Sequence, residues 1–208
     1  MSSSNRPLRI AVFASGSGSN FQALAEAIRG GGIDASIDLV VCDKPSAYVL
    51  ERAKTLEIET FVFRPKEYAS REAYEEQIVA KLREKGIDLV VMAGYMRLVT
   101  NVLVEPFYGR MINIHPALLP AFPGMDGIGQ ALAYGAKITG VTVHFVDGGT
   151  DTGPIIAQHA VPIEDDDTRD ALGARIQQAE HALLPAVVKW IAEGRVSLDG
   201  RKVTVRRS

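Results

Sequence analysis

The chain has 208 residues, 47% of them hydrophobic and 23% charged, with a formal net charge of −2. That is ordinary chemistry for a fold that buries its own core, and without a basic surplus nucleic acid is a poor default partner. The one cysteine, Cys42, can form neither an intramolecular disulfide nor a cysteine zinc site, and within Leu39-Val40-Val41-Cys42 it reads as a small buried hydrophobe.

The chain opens on the polar stretch Met1-Ser2-Ser3-Ser4-Asn5-Arg6-Pro7, which lacks a signal-peptide core, and no apolar run has the length of a membrane span. A cytoplasmic protein without membrane contact is expected. Residues 9–14 form a short apolar run ending in a serine–glycine loop, which predicts a buried strand. A helix follows over 20–29, with Phe21, Leu24, Ala25 and Ile28 on one face and three glycines to stop it. Strands are predicted at 37–42, 60–63 and 87–93, the last nearly all apolar and so covered on both faces. Helices are predicted at 47–56 and 71–85, the second capped by Ser70 and closed by Gly86. Repeated strand–helix units of this size imply parallel strands with right-handed crossovers, an open twisted Rossmann-like sheet whose ligands sit at the strands' carboxyl ends.

The second half changes character. A helical stretch at 100–107 leads to a strand at 111–115 and a loop rich in proline, then a helix at 128–134. Two strand-like runs, 138–146 and 154–163, flank turn chemistry at 147–153, so an antiparallel pair continuing the sheet as a mixed sheet is expected. Asp165-Asp166-Asp167-Thr168 reads as the start of a long helix reaching 192, the acidic run suiting a helix N-terminus. The tail, 195–207, reads as a hairpin turning at Asp199-Gly200. The whole is an α/β fold with helices on both faces of the sheet, one domain with lobes at 8–100 and 101–208.

Three stretches carry chemistry. Ser15-Gly16-Ser17-Gly18-Ser19-Asn20 lies between a strand and a helix, where glycines let the backbone approach an anion at a helix N-terminus. It lacks the third glycine of a dinucleotide fingerprint and the Lys-Ser or Lys-Thr of a P-loop, so a mononucleotide or ribose phosphate fits better than NAD or ATP. Taken alone, the loop supports a phosphate cradle and a plain capped turn equally. In Met111-Ile112-Asn113-Ile114-His115, strand alternation puts Asn113 and His115 on one face. That polar pair is costly before a proline unless it faces a cleft, where an amide and an imidazole can stabilise an oxyanion or move a proton. Val146-Asp147-Gly148-Gly149-Thr150-Asp151-Thr152-Gly153-Pro154 sets two carboxylates among glycines. Asp147 reads first as a turn former. Asp151 could hold a nearby His115 protonated, and spacing does not decide its role. His144 either lines the cleft or is a satisfied structural histidine.

Those loops, with Asn113-Ile114-His115-Pro116-Ala117-Leu118-Leu119-Pro120 and Asp151-Thr152-Gly153-Pro154-Ile155-Ile156, resemble in order and spacing the phosphoribosylglycinamide formyltransferase family of the folate-dependent formyltransferase superfamily. The resemblance runs from residue 9 to about 195. It implies transfer of a formyl group from 10-formyltetrahydrofolate, as co-substrate, to the amine of 5'-phosphoribosylglycinamide in purine biosynthesis, with no metal required. It implies Asn113, His115 and Asp151 as catalytic residues. It implies Gly16, Ser17, Gly18, Ser19, Asn20 and Glu180 for the ribonucleotide, and Arg71, Met96, Arg97, Leu98 and Asp147 for the folate. The expected partners are these small molecules, the assembly a monomer or homodimer. The sequence departs from the family at Met125-Asp126-Gly127-Ile128-Gly129, where the added glycines suggest a looser loop beside the cleft. A methionyl-tRNA formyltransferase would need a further C-terminal domain and a basic surface. A formyltetrahydrofolate deformylase would carry an N-terminal regulatory domain, and a silent nucleotide-binding module would not need the Asn113–His115 face.

Overall fold

The computed structural model describes residues 6–207, so the polar stretch 1–5, part of the expectation about a leader, lies outside the described residues. The protein is an α/β fold whose mostly parallel sheet has the strand order β3-β2-β1-β4-β5-β6-β7, accompanied by a separate two-stranded sheet, β8-β9. The strands are β1 (Leu8–Phe13), β2 (Ala35–Cys42), β3 (Thr60–Val62), β4 (Leu89–Met92), β5 (Met111–His115), β6 (Ile138–Phe145), β7 (Ile155–Pro162), β8 (Val196–Asp199) and β9 (Lys202–Val205). The helices are α1 (Ser19–Arg29), α2 (Val49–Thr55), α3 (Arg71–Glu84), α4 (Asn101–Val104), α5 (Gly127–Tyr134) and α6 (Arg169–Ala192), with 3-10 turns at Pro65–Glu67 and Glu105–Phe107. Two compact units, residues 1–112 and 113–208, divide inside β5.

In the first unit β1 pairs in parallel with β2 on one side and β4 on the other, and β3 pairs with β2. Ile10, Ala11, Val12 and Phe13 of β1 and Val90 and Val91 of β4 are wholly buried, as strands covered on both faces must be. Helix α1 buries Phe21, Leu24 and Ala25, one stripe of its surface. The chain visits β1, β2 and β3 in turn and then returns to the other side of β1 to make β4. That reversal is a switch point, and in open sheets the crevice for a ligand lies there, outside the strands' carboxyl ends. The segments that leave those ends are 14–18 after β1 and 93–100 after β4.

The segment after β4 is anchored by an acid that the sequence hides. Glu75 of α3 is 1% exposed, in the middle of a face made by Tyr74, Ile78, Val79 and Leu82. Its carboxyl accepts from the Thr100 N–H at 3.0 Å and from the Thr100 hydroxyl, while that hydroxyl caps α4 by accepting from the Val102 N–H at 3.3 Å. Burial lifts the Glu75 carboxyl above its ordinary value, and the two Thr100 donors offset part of the rise.

In the second unit β6 and β7 form the expected antiparallel pair, Ile138 facing Pro162 and Val141 facing His159. Helix α6 buries Leu172, Ile176, Leu184, Val187 and Val188, and the hairpin β8–β9 pairs Asp199 with Lys202 across its turn. The acidic run before α6 behaves differently from the expectation that it begins the helix. Thr168 is the cap, accepting from the Ala171 N–H at 3.1 Å. Asp165 and Asp167 lie just ahead of it and pair with Lys137 and Arg175. The segment 125–129 is likewise not a loose loop. Asp126 caps α5 by accepting from the Gly129 N–H at 3.1 Å, so Gly127 and Gly129 lie within the helix.

Glu75 provides a direct check on this anchoring. Glu75→Ala should cost about 1–3 kcal/mol in chemical denaturation, the usual penalty for stranding buried donors. Glu75→Gln, which resembles the neutral acid and keeps an acceptor, should lose clearly less.

Candidate active site

The three side chains implied as catalytic meet within the second unit. Asn113 and His115 occupy alternate positions of β5 and share a face, as strand geometry requires. Asp151 comes from the turn between β6 and β7. It sits at φ 54, a left-handed conformation that short polar side chains such as aspartate adopt more readily than most. The chain can turn back here because the next residue but one is Gly153: a Cβ there would stand 1.7 Å from the Phe145 carbonyl oxygen. The Asp151 side chain is only 13% exposed.

That buried carboxylate is surrounded by donors. Asp151 Oδ2 accepts from the Gly124 N–H at 2.7 Å and lies 3.4 Å from His115 Nδ1. Asp151 Oδ1 accepts from the Asn113 amide at 3.4 Å and lies 3.6 Å from His144 Nε2. Burial pushes the Asp151 carboxyl up, but the His144 ring, the Gly124 N–H and the His115 charge outweigh it and hold the group below the ordinary carboxylate value.

The backbone fixes how the two rings carry their protons. His115 Nε2 is 2.8 Å from the Phe122 carbonyl oxygen, an acceptor only, so Nε2 carries hydrogen. His144 Nδ1 is 2.8 Å from the Phe145 carbonyl oxygen and carries hydrogen for the same reason. His144 Nε2 stands 3.2 Å from the Asn113 amide nitrogen. Asn113 thus points its NH2 group toward both His144 and Asp151, through contacts long enough to restrain the amide without saturating it. His144, left open in the sequence, belongs to the cluster, and is 2% exposed.

The implied ribonucleotide and folate stretches separate differently. Gly16 and Ser17 are exposed on the loop after β1, and Gly18 caps α1 at φ 72 with no capping side chain and no acidic residue in the helix's first turn. A helix start of this kind suits an anion. A Cβ on residue 18 would lie 2.5 Å from Val49 Cγ2, so glycine there is required by packing as well as by φ. Ser19 and Asn20 are the first two residues of α1. Met96, Arg97 and Leu98 are exposed on the segment after β4, and Arg71 is exposed at the start of α3. These residues belong to the first unit. Glu180 is half-buried on α6 in the second unit. Asp147 accepts from the Gly149 N–H at 3.0 Å and the Thr152 hydroxyl at 2.7 Å, the turn-forming behaviour read from sequence. The Phe122 carbonyl and the Gly124 N–H could not be read from residue type, because every residue but proline carries both groups.

The chain is similar over most of its length to known proteins. The formyl transferase family model matches residues 8–188. The chain is 49% identical to phosphoribosylglycinamide formyltransferase of Bacillus subtilis, covering 88% of this chain and 94% of that protein. Against the enzyme of the same name from Escherichia coli the identity is 39%, covering 94% and 96%. Among solved structures, glycinamide ribonucleotide transformylase 1 from Symbiobacterium toebii superposes with a TM-score of 0.94 at 43% identity, covering 97% of this chain and 95% of that one. The corresponding protein from Geobacillus kaustophilus gives 0.88 at 50%, covering 90% and 100%.

The depressed Asp151 value fixes a pH signature. A carboxyl bound more tightly as the anion in the fold stabilises it above the unfolded value of about 3.9, and that contribution is lost as pH falls through the folded value. The gap in unfolding free energy between the wild-type chain and Asp151→Asn should therefore narrow as pH falls from about 5 to below about 4. Urea melts across that range check it, and a gap that persists unchanged to pH 3 contradicts the assignment.

Proposed function

Because the chain belongs to the formyl transferases, and within them to the phosphoribosylglycinamide formyltransferase family, we propose that it moves the formyl group of 10-formyltetrahydrofolate to the amine of 5'-phosphoribosylglycinamide in de novo purine biosynthesis. The observation that carries this reading is the Asn113–His115–Asp151 cluster, a polarising amide, an imidazole and an ionised carboxylate held within hydrogen-bonding reach of one another.

The amine nitrogen attacks the formyl carbon, forming a C–N bond and moving the carbonyl pair onto oxygen. Asn113 donates to that oxygen, giving up one of its long contacts, while His115 stabilises it through its charge; one good donor of this kind is worth about 3–4 kcal/mol in comparable sites. In its doubly protonated form His115 presents Nδ1–H to Asp151 and keeps a positive charge near the oxyanion. Asp151 assists the proton from the new ammonium toward N10 of the folate, through water, and the C–N10 bond then breaks as N10 takes that proton. His144 restrains Asn113 and Asp151. The roles assigned to Gly16, Ser17, Gly18, Ser19, Asn20 and Glu180 toward the ribonucleotide, and to Arg71, Met96, Arg97, Leu98 and Asp147 toward the folate, are part of the same proposal. They are supported by a helix start that lacks a capping side chain beside the glycine loop and by exposed apolar side chains on the segment after β4.

A formyl-transfer assay with 10-formyltetrahydrofolate tests the reading, with turnover expected only when glycinamide ribonucleotide is added. Asn113→Ala and Asp151→Asn should each lower kcat by about 100-fold or more, while calorimetry still detects ribonucleotide binding. Near-normal turnover in either purified variant removes that residue from the mechanism.

A further inference from the structure

Ser15 belongs to the glycine loop but spends its polar groups elsewhere. It is 3% exposed, its N–H donates to the Gly94 carbonyl at 3.0 Å, and its hydroxyl oxygen accepts from the Met96 N–H at 2.9 Å. Two hydrogen bonds thus join the segments leaving β1 and β4 across the switch point. Resting on the proposed function, we propose that Ser15 is a positioning residue coupling the two substrates: ligand that orders the glycine loop orders the Met96–Leu98 stretch, and the reverse.

Both segments are otherwise tied to separate supports. On the loop side, the Gly16 carbonyl accepts from the Val49 N–H at 3.1 Å and the Ser17 carbonyl from Arg52 Nε at 2.9 Å, fixing the loop to α2. On the other side, Tyr95 packs edge-on against Phe13 with ring centroids 5.3 Å apart. Arg97 Nε donates to Asp43 Oδ2 at 2.8 Å, the Asp43 side chain being fully buried, and Glu75 holds Thr100. Between these anchors Met96 and Leu98 stay 60% and 56% exposed. Large apolar side chains held out on a pinned backbone are preorganised for a flat, partly apolar ligand, which limits the ordering cost of binding. The residue between the anchor at Tyr95 and the anchor at Arg97 is Met96, and its N–H is held by Ser15. A shift of the glycine loop around a phosphate therefore acts directly on the backbone that displays Met96 and Leu98. Such linkage is reciprocal by thermodynamic necessity, so each ligand must change the other's affinity by the same factor.

Tetrahydrofolate and glycinamide ribonucleotide together form a complex that cannot react, so calorimetry on the full chain can read each Kd with and without the other ligand. In the wild type each should tighten the other by roughly five-fold or more, equally in both directions. In Ser15→Ala that factor should fall toward one, with the separate affinities within about three-fold of wild type, and Ser15→Thr, which keeps the acceptor, should restore it. Hydrogen exchange needs no variant: saturating ribonucleotide alone should slow the amides of residues 94–100 in the wild type. The coupling is overturned if both ligands bind the wild type independently, if Ser15→Ala folds and keeps the full factor, or if ribonucleotide leaves those amides unchanged. A wild-type chain that binds neither ligand instead brings down the proposed function, and the coupling with it.

Discussion

An ionised carboxylate with 13% of its side chain exposed is the constraint around which the second unit is arranged. A buried charge is tolerated only when donors replace the water it has lost. Asp151 finds them in the Gly124 N–H and the Asn113 amide, with the rings of His115 and His144 beside it. Meeting that demand pins β5, the end of β6 and the loop after Pro116 to one another, and sets the left-handed turns at Phe122, Gly124 and Asp151. The His144 ring, the Gly124 N–H and the His115 charge hold it below the ordinary carboxylate value against the effect of burial, so structural need and chemical readiness share an origin.

The first unit is governed by a different condition, the return of the chain to the far side of β1. Two strands end side by side, Phe13 beside Met92, and their outgoing segments must diverge without leaving buried backbone groups unpaired. Ser15 resolves that locally by giving its N–H to Gly94 and its hydroxyl oxygen to Met96. Gly18 resolves it on the other flank, turning the chain into α1 where Val49 leaves no room for a side chain.

Periodicity and turn chemistry made most of the elements legible. Strand β5 agrees with the reading residue for residue, because an alternating five-residue run ending at a proline has little freedom. Most other boundaries held or moved by one or two residues, as helix ends and strand ends do, the start of α6 lying further along than expected. The acidic run lies at the N-terminus of α6, but the pattern does not show that Lys137 and Arg175 pair with it. The glycines at 127 and 129 suggested looseness, yet Asp126 organises them into a helix start. The site was legible only in part. The shared face of Asn113 and His115 follows from strand alternation. The proximity of Asp151, the membership of His144 and the contributions of two backbone groups do not, since each depends on where another segment lies.

What the sequence determined alone was the alternation of strands and helices, the parallel beginning and antiparallel end of the sheet, the polar face of β5 and the glycine turn before α1. These are local properties, set by side-chain period and backbone freedom over a few residues. Tertiary structure decided which charges are paired, that Glu75 is buried on Thr100 rather than solvated, that His144 shares hydrogen bonds with Asn113, and that Ser15 reaches Met96. Those outcomes depend on groups up to eighty-one residues apart in the chain, and the cost of burying a polar group is fixed by whichever partner the fold brings to it.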